Sequence, residues 1–280
     1  RLEGACPRKI PSLGQIRTLA TARWQPDAAA SSSSNLSYFG ANMAAHYGKS
    51  NGLAPFVNRD VADYQRLRQW SVDNPSEFWR GVWEHTGFLG TYDTQNIVFP
   101  PNAAWAAHGS PAPLWFPGAM VNHAENLLMH GDDADPALIF ASENSSVGQL
   151  EIVTYAELKR RVASLASALA ADGVGPGECC AGYVANTPDA VVAMLATTSL
   201  GASWATCSPD FGERGVIDRL GQVKPRVLFV HDRYYYRGRR FEMAPKVNAI
   251  ASSLPNTMRT IVLNYPTATH TDTHTDTDTH

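Results

Sequence analysis

The sequence predicts an α/β protein with a mostly parallel sheet and flanking helices, and three observations carry that expectation. Four short apolar runs, 179–185, 203–207, 226–231 and 260–265, recur in the second half of the chain, each long enough for one buried strand. Between them lie stretches of helical periodicity, about ten to fifteen residues each, the length a right-handed crossover between parallel strands needs. Cap and stop residues punctuate the helical stretches, Thr154 with Glu157 and Gly173 around the one before the first run and Thr187 followed by Pro188 at the start of the next.

The elements follow in order. Residues 1–60 read as an irregular arm with a Ser31 to Ser34 run; Leu36, Phe39, Met43 and Tyr47 share one face and predict a short helix from 36 to 47. Residues 61–130 read as a helical cap. Leu67 and Trp70 lie on one face, Asn74-Pro75-Ser76-Glu77 supplies a cap with Pro at the first helical position, and Phe78, Trp79, Val82 and Trp83 continue at helical spacing. That aromatic stripe reads as core rather than as a cofactor contact. From 131 to 265 the first part of an α/β domain is expected. Segments 137–142 and 149–153 predict two strands joined through Ser145 to Gly148, and Tyr155, Leu158, Val162, Leu165 and Leu169 form the apolar face of the next helix. Further helices are expected from Thr187 to about Gly201, over 212–222 and over 241–253. Residues 266–280 read as a disordered low-complexity tail.

Composition excludes several function classes. The chain has 23 Lys and Arg against 26 Asp and Glu, a net charge of −3, which gives no steering toward nucleic acid. Cys6, Cys179, Cys180 and Cys207 form neither a disulfide framework nor paired metal-ligand spacing, so a reducing cytoplasm is expected. The segment from Arg1 to Ala22 has no continuous apolar core of a secretory signal, and the chain opens without Met, so an incomplete front is expected. Ala190 to Cys207 carries no charge, but its Thr197, Thr198, Ser199, Ser203 and Thr206 suit a buried helix and strand rather than a membrane span.

In parallel sheets ligands sit beyond the carboxyl ends of strands, which singles out the loops 186–189, 207–212 and 231–240. Cys207-Ser208-Pro209-Asp210-Phe211-Gly212 joins a strand to a helix with Pro and Gly at a sharp turn; it suits an anionic ligand, or an ordinary helix start capped by Ser208 or Asp210. Asp232 to Arg240 holds four arginines and three tyrosines, which suits a nucleotide-like ligand or a solvated basic turn. In the tail, His270, His274 and His280 alternate with Thr and Asp; a translated dinucleotide repeat explains that pattern better than a metal site. The patterns GxxxxGK[ST], GxGxxG, GxSxG and HExxH do not occur.

Four segments in order resemble the acetoacetyl-CoA synthetase branch of the adenylate-forming acyl-CoA synthetase superfamily. They are Tyr64 to Gly90 (YQRLRQWSVDNPSEFWRGVWEHTGFLG), Trp115 to Leu128 (WFPGAMVNHAENLL), Ser208 to Leu220 (SPDFGERGVIDRL) and Asp232 to Tyr236 (DRYYY). The resemblance covers most of residues 23–265. It implies a partial adenylate-forming fold, the N-terminal portion of an acid–thiol ligase, and a reaction in which ATP and acetoacetate give an acyl-adenylate that CoA then takes up. For the complete enzyme it implies ATP, Mg2+ and CoA as cofactors and a short acid as substrate. It places Pro209, Asp210 and Phe211 near the CoA tunnel and Arg239 at the CoA nucleotide phosphates. His123 stands where the family has an aromatic before Ala-Glu-Asn. The superfamily's Ser/Thr/Gly-rich phosphate loop, its Tyr-x-x-Thr-Glu adenylate motif, its ribose-binding Asp and its acylating Lys have no counterpart in these residues. No catalytic residue is therefore named, and the other expected class is a non-catalytic pseudoenzyme or CoA- or partner-binding module.

Overall fold

The computed structural model describes residues 27–55, 61–99, 113–143 and 150–266. The expected turn at Ser145 to Gly148 and the His-bearing tail lie outside them. The chain divides into two compact units, one of Arg1–Phe88 with Tyr92–Ala119 and one of Leu89–Thr91 with Met120–His280.

In the first unit the described helices are α1 (Ala28–Ser32), α2 (Asn35–Asn51), α3 (Val61–Asp73) and α4 (Pro75–Thr86), followed by a two-stranded antiparallel pair, β1 (Val98–Phe99) and β2 (Leu114–Trp115). The expected short helix at 36–47 is thus longer at both ends; Ser34 caps it by accepting from the Ser37 amide, and Gly52 in the left-handed region stops it. Met43, Tyr47, Leu53, Leu67 and Trp70 form a small core, with Phe39 and Phe78 packed on it. Trp79 stays 39% exposed against Trp115, and Trp83 meets Phe88, Tyr92 and Phe116. Only part of the aromatic stripe is core. Asn74 does precede α4, but its side chain does not cap it; the amide turns back and donates to the Trp70 carbonyl at the end of α3.

The second unit contains α5 (His123–Leu128), the antiparallel pair β3 (Pro136–Phe140) and β4 (Glu151–Thr154), α6 (Tyr155–Ala171), β5 (Cys179–Tyr183), α7 (Pro188–Ser199), β6 (Ser203–Cys207), α8 (Glu213–Val223), β7 (Val227–His231), β8 (Arg233–Tyr236), β9 (Arg239–Glu242), α9 (Ala244–Ser252) and β10 (Arg259–Leu263). The four expected apolar runs form one parallel sheet in the order β10-β7-β5-β6. Central β5 and β7 are buried at every position, the signature of a sheet covered on both faces. One face packs on a cluster with Leu158, Val162, Leu169, Val192 and Leu195 from α6 and α7; the other packs on Val216, Leu220, Val247 and Ile250 from α8 and α9.

Local chemistry explains the boundaries. Thr154 caps α6 by accepting from the Glu157 amide, and Gly173, at φ 78°, reverses the chain after it. Thr187 caps α7 by accepting from the Ala190 amide, with Pro188 at the first helical position. Two expectations need correcting. The N-cap of α8 is Gly212, not Ser208 or Asp210. Residues 233–242, read partly as loop and partly as helix, form the antiparallel hairpin β8–β9, so α9 begins only at Ala244. Its two-residue turn is Arg237-Gly238, at φ 54° and 70°, the doubly left-handed turn that matches strand twist.

Candidate functional site

Because β5, β6, β7 and β10 run parallel, the segments that follow them collect at one edge of the sheet, where strand carboxyl ends meet helix starts. Three buried or half-buried polar side chains organise that edge.

Tyr183, the last residue of β5, is fully buried, and its O–H donates to the carbonyls of Pro209 at 2.9 Å and Phe211 at 2.7 Å. Burial, reinforced by Tyr234 and by the Asp210 carboxylate, pushes this phenol up to about 12, so it remains a donor. Above it the Phe211 amide donates to the Ser208 carbonyl at 3.1 Å, closing a turn with Pro209 at its second position. Pro209 is buried and Asp210 exposed. Phe211 is half-buried, with the Arg219 guanidinium 4.4 Å from its ring centroid.

His231 ends β7 with no exposed surface. Its Nδ1 accepts from the Ala185 amide at 3.0 Å, which places the ring proton on Nε2, and Nε2–H then donates to Thr187 Oγ1 at 3.3 Å. Burial lowers its pKa and outweighs the upward pull of Asp189 and Asp232. One neutral imidazole therefore ties the end of β7 to the residues leading into α7. Next to it, burial works against the charge of Asp232, but the Arg233 guanidinium at 2.7 Å and the Tyr265 amide at 2.9 Å hold its carboxyl below the usual range.

The β8–β9 hairpin projects beyond this edge. Tyr234 and Phe241 stack at 4.9 Å, and Tyr234, like Phe211, packs against the core cluster that includes Tyr183. Of its four arginines, Arg233 pairs with Asp232, Arg240 with Glu242, and Arg237 lies over the Tyr236 ring. Arg239 is exposed and takes no ion pair among the described residues. The Gly238 amide at the turn donates to Glu143 beyond the end of β3, at 2.8 Å. The structure thus brings Pro209, Asp210 and Phe211 together over Tyr183 and beside Tyr234. It leaves Arg239 near the hairpin tip, opposite Tyr236.

Two open concavities lie in the same unit. One, of about 320 Å³, is lined by Val184, Asn186, Met194, Trp204 and Ser208; the other, of about 230 Å³, by Leu138, Phe140, Asn186, Thr187 and Pro188. Asn186 and Val191 border both. Among the described residues no three His, Cys, Asp or Glu side chains gather to hold a metal ion, and no helix is long and apolar enough to cross a membrane.

Asn186 and His231 begin two of the loops singled out from the sequence, but neither was named individually, and Tyr183 lay outside those loops. A signal existed: each is a polar residue at or just past the end of an apolar parallel strand, where the topology puts ligands.

Comparison with known proteins gives this edge its family. The model of the AMP-binding enzyme family matches residues 130–279, more than half of the 280. The chain belongs to the AMP-binding enzyme family. The N-terminus of acetyl-coenzyme A synthetase matches residues 64–127. The acetoacetyl-coenzyme A synthetase of Rhizobium meliloti (strain 1021) is 41% identical over 196 residues, 70% of this chain and 28% of that protein. The acetoacetyl-CoA synthetase of Danio rerio is 37% identical over 213 residues, 75% of this chain and 31% of that protein. The solved acetoacetyl-CoA synthetase from Streptomyces lividans superposes with a TM-score of 0.71 at 35% identity, over 85% of this chain and 34% of that one. The chain therefore spans about a third of the length of the relatives it matches.

Proposed function

We propose that these residues are the N-terminal portion of an acetoacetate–CoA ligase. The observation that carries the reading is the joint match: both family segments occur in order, and a 35% identical acetoacetyl-CoA synthetase shares the fold over 85% of the chain. In the reaction proposed for the whole enzyme, the acetoacetate carboxylate attacks the α-phosphate of ATP and pyrophosphate leaves; the CoA thiol then attacks the acyl carbonyl and AMP leaves. Magnesium enters as the counter-ion of ATP, and no ligand set in this chain is assigned to it. Free buried Cys179, Cys180 and Cys207 fit a reducing compartment, and the cytoplasm is the proposed location.

Within that reaction the role proposed for this chain is CoA recognition. Pro209, Asp210 and Phe211 would border the CoA arm, and Arg239, whose guanidinium is engaged by no carboxylate among the described residues, would meet the nucleotide phosphates. Stabilising the charge that develops on the α-phosphate needs preorganised donors and a metal, and no described residue is assigned that task. The 280-residue chain by itself is accordingly expected to bind CoA weakly, at best in the millimolar range, and to form no acyl-adenylate.

The test exchanges residues 27–265 for the matching segment of the Rhizobium meliloti synthetase. Acetoacetate-dependent release of AMP in the presence of CoA, with acetate a poorer acid, is the expected result. A folded chimera that prefers acetate, or that shows no acid-dependent AMP release, overturns the reading. Acetoacetate-dependent exchange of pyrophosphate into ATP by the chain alone would overturn the narrower role.

A further inference from the structure

The hydroxyl of Tyr183 makes a contact that strand pairing does not require. It serves two carbonyls, Pro209 and Phe211, with one proton, so the bond is three-centred and both carbonyls must face Tyr183. Peptide planarity then fixes the other side of the loop. The N–H that follows each carbonyl points the opposite way, so the amides of Asp210 and Gly212 face away from Tyr183. Gly212 has nothing within 4 Å of where a side chain would stand, and it opens α8. The Tyr183 ring sits in an apolar cluster with Val216, Leu220, Leu228 and Met243. The loop is thus held in one shape from beneath while two donors are directed outward.

We infer that Tyr183 is a positioning residue for the 208–212 loop, setting the outward amides of Asp210 and Gly212 for the non-nucleotide arm of CoA. The inference rests on the CoA role proposed above and adds to it the group that shapes the binding loop. Tyr183 itself touches no ligand; it acts through Pro209 and Phe211.

The test uses the full 280-residue chain and two probes, CoA and adenosine 3′,5′-bisphosphate, which carries the nucleotide phosphates but lacks the arm. Tyr183→Phe should weaken CoA about tenfold, the loss of roughly one buried hydrogen bond, and leave the bisphosphate within about twofold. Val230→Ala removes volume from the same core cluster, beside Tyr183 in the strand register, while leaving the Tyr183 hydroxyl in place, and should leave the ratio of the two affinities unchanged. Gly212→Pro removes one outward donor at a φ of −70° that proline adopts, and should reproduce the selective loss of CoA even if Tyr183→Phe does not fold. Arg239→Ala should weaken both probes. Wild-type CoA affinity in Tyr183→Phe or Gly212→Pro, or a loss of both probes in the proportion seen for Val230→Ala, overturns the inference and leaves the CoA role standing. Failure of the wild-type chain to bind either probe overturns the CoA role itself, and the inference with it.

Discussion

The helical unit and the sheet unit bury their apolar residues differently. In the sheet unit, β5 and β7 are closed on both faces, and Phe229, Leu228 and Ala181 have no exposed surface. In the helical unit Met43, Tyr47, Leu53, Leu67 and Trp70 form a small core among the described residues, while Tyr64 and Trp115 remain about half exposed, at 47% and 46%. A sheet covered on two sides leaves only its ends open, and the polar groups with tuned chemistry sit at one of those ends. A set of helices has no such end, and several of its aromatic residues stay at its surface. The difference teaches where a site can be precise: Tyr183 and His231 are aimed because the strands that carry them cannot move independently.

The largest expected effect tests that difference directly. Phe229→Ala, in the middle of the sheet and against Trp204, should cost about 3–5 kcal/mol, whereas Leu67→Ala in the smaller helical core should lie near the lower end of about 2–5 kcal/mol, because its surroundings can relax. Hydrogen exchange read by peptide should show Phe229→Ala stripping protection from 179–207 and 227–231 while 35–51 and 61–86 keep theirs. Loss of protection in both sets would mean that the two units open as one.

Much of the sheet was legible because parallel strands leave a simple trace: apolar runs, helical spacing and caps at Thr154 and Thr187 all point the same way. The hairpin was not legible. Its turn is Arg237-Gly238 where Asn-Gly is the usual signal, and its strands carry Arg and Tyr in place of a clean alternation, so Asp232 to Arg240 reads as a basic loop. The 207–212 loop could be picked from a strand–turn–helix pattern, and the resemblance to the family pointed to Pro209, Asp210 and Phe211 within it, but the groups that hold them could not be read from either. Tyr183 and His231 lie inside apolar runs, and only the fold shows what their polar atoms reach.

The second prediction concerns pH and the same contrast between a rigid end and a looser body. His231 is neutral in the fold and its pKa is lowered, while the unfolded chain titrates near 6.5. As pH falls below about 6.5 the unfolded state gains a proton that the folded state does not, so stability declines toward the lower folded pKa, by up to about 1.4 kcal/mol per pH unit, and is fully present above 6.5. The charged groups facing the ring are Asp189 on α7 and Asp232 after β7, with Tyr265 after β10 at 5.8 Å; the two carboxylates oppose the shift without reversing it. Urea midpoints measured from pH 7.5 to 5 should show this decline in the sheet unit, and His231→Gln, which keeps an acceptor and a donor but cannot titrate, should flatten it. An unchanged slope in that variant would assign the pH dependence to other groups.

The smallest effect separates two caps that look alike in the sequence. Thr154-x-x-Glu157 and Asn74-x-x-Glu77 both fit a capping pattern, yet only Thr154 serves its helix, accepting from the Glu157 amide at 3.3 Å. The Glu157 carboxylate is held by Arg160 and then by Arg161, which pull it down to about 2. Asn74 instead donates backward to the Trp70 carbonyl at 3.0 Å, so the first amides of α4 gain nothing from its side chain. Thr154→Ala should therefore cost about 1 kcal/mol, the ordinary worth of an N-cap, and Asn74→Ala about 0.5 kcal/mol, one half-buried hydrogen bond at the end of α3. Chemical denaturation of the two variants in parallel checks the order. If Asn74→Ala proved the costlier, the bond to Trp70 would be what fixes the corner between α3 and α4, and the helical unit would depend on that corner more than on its small core.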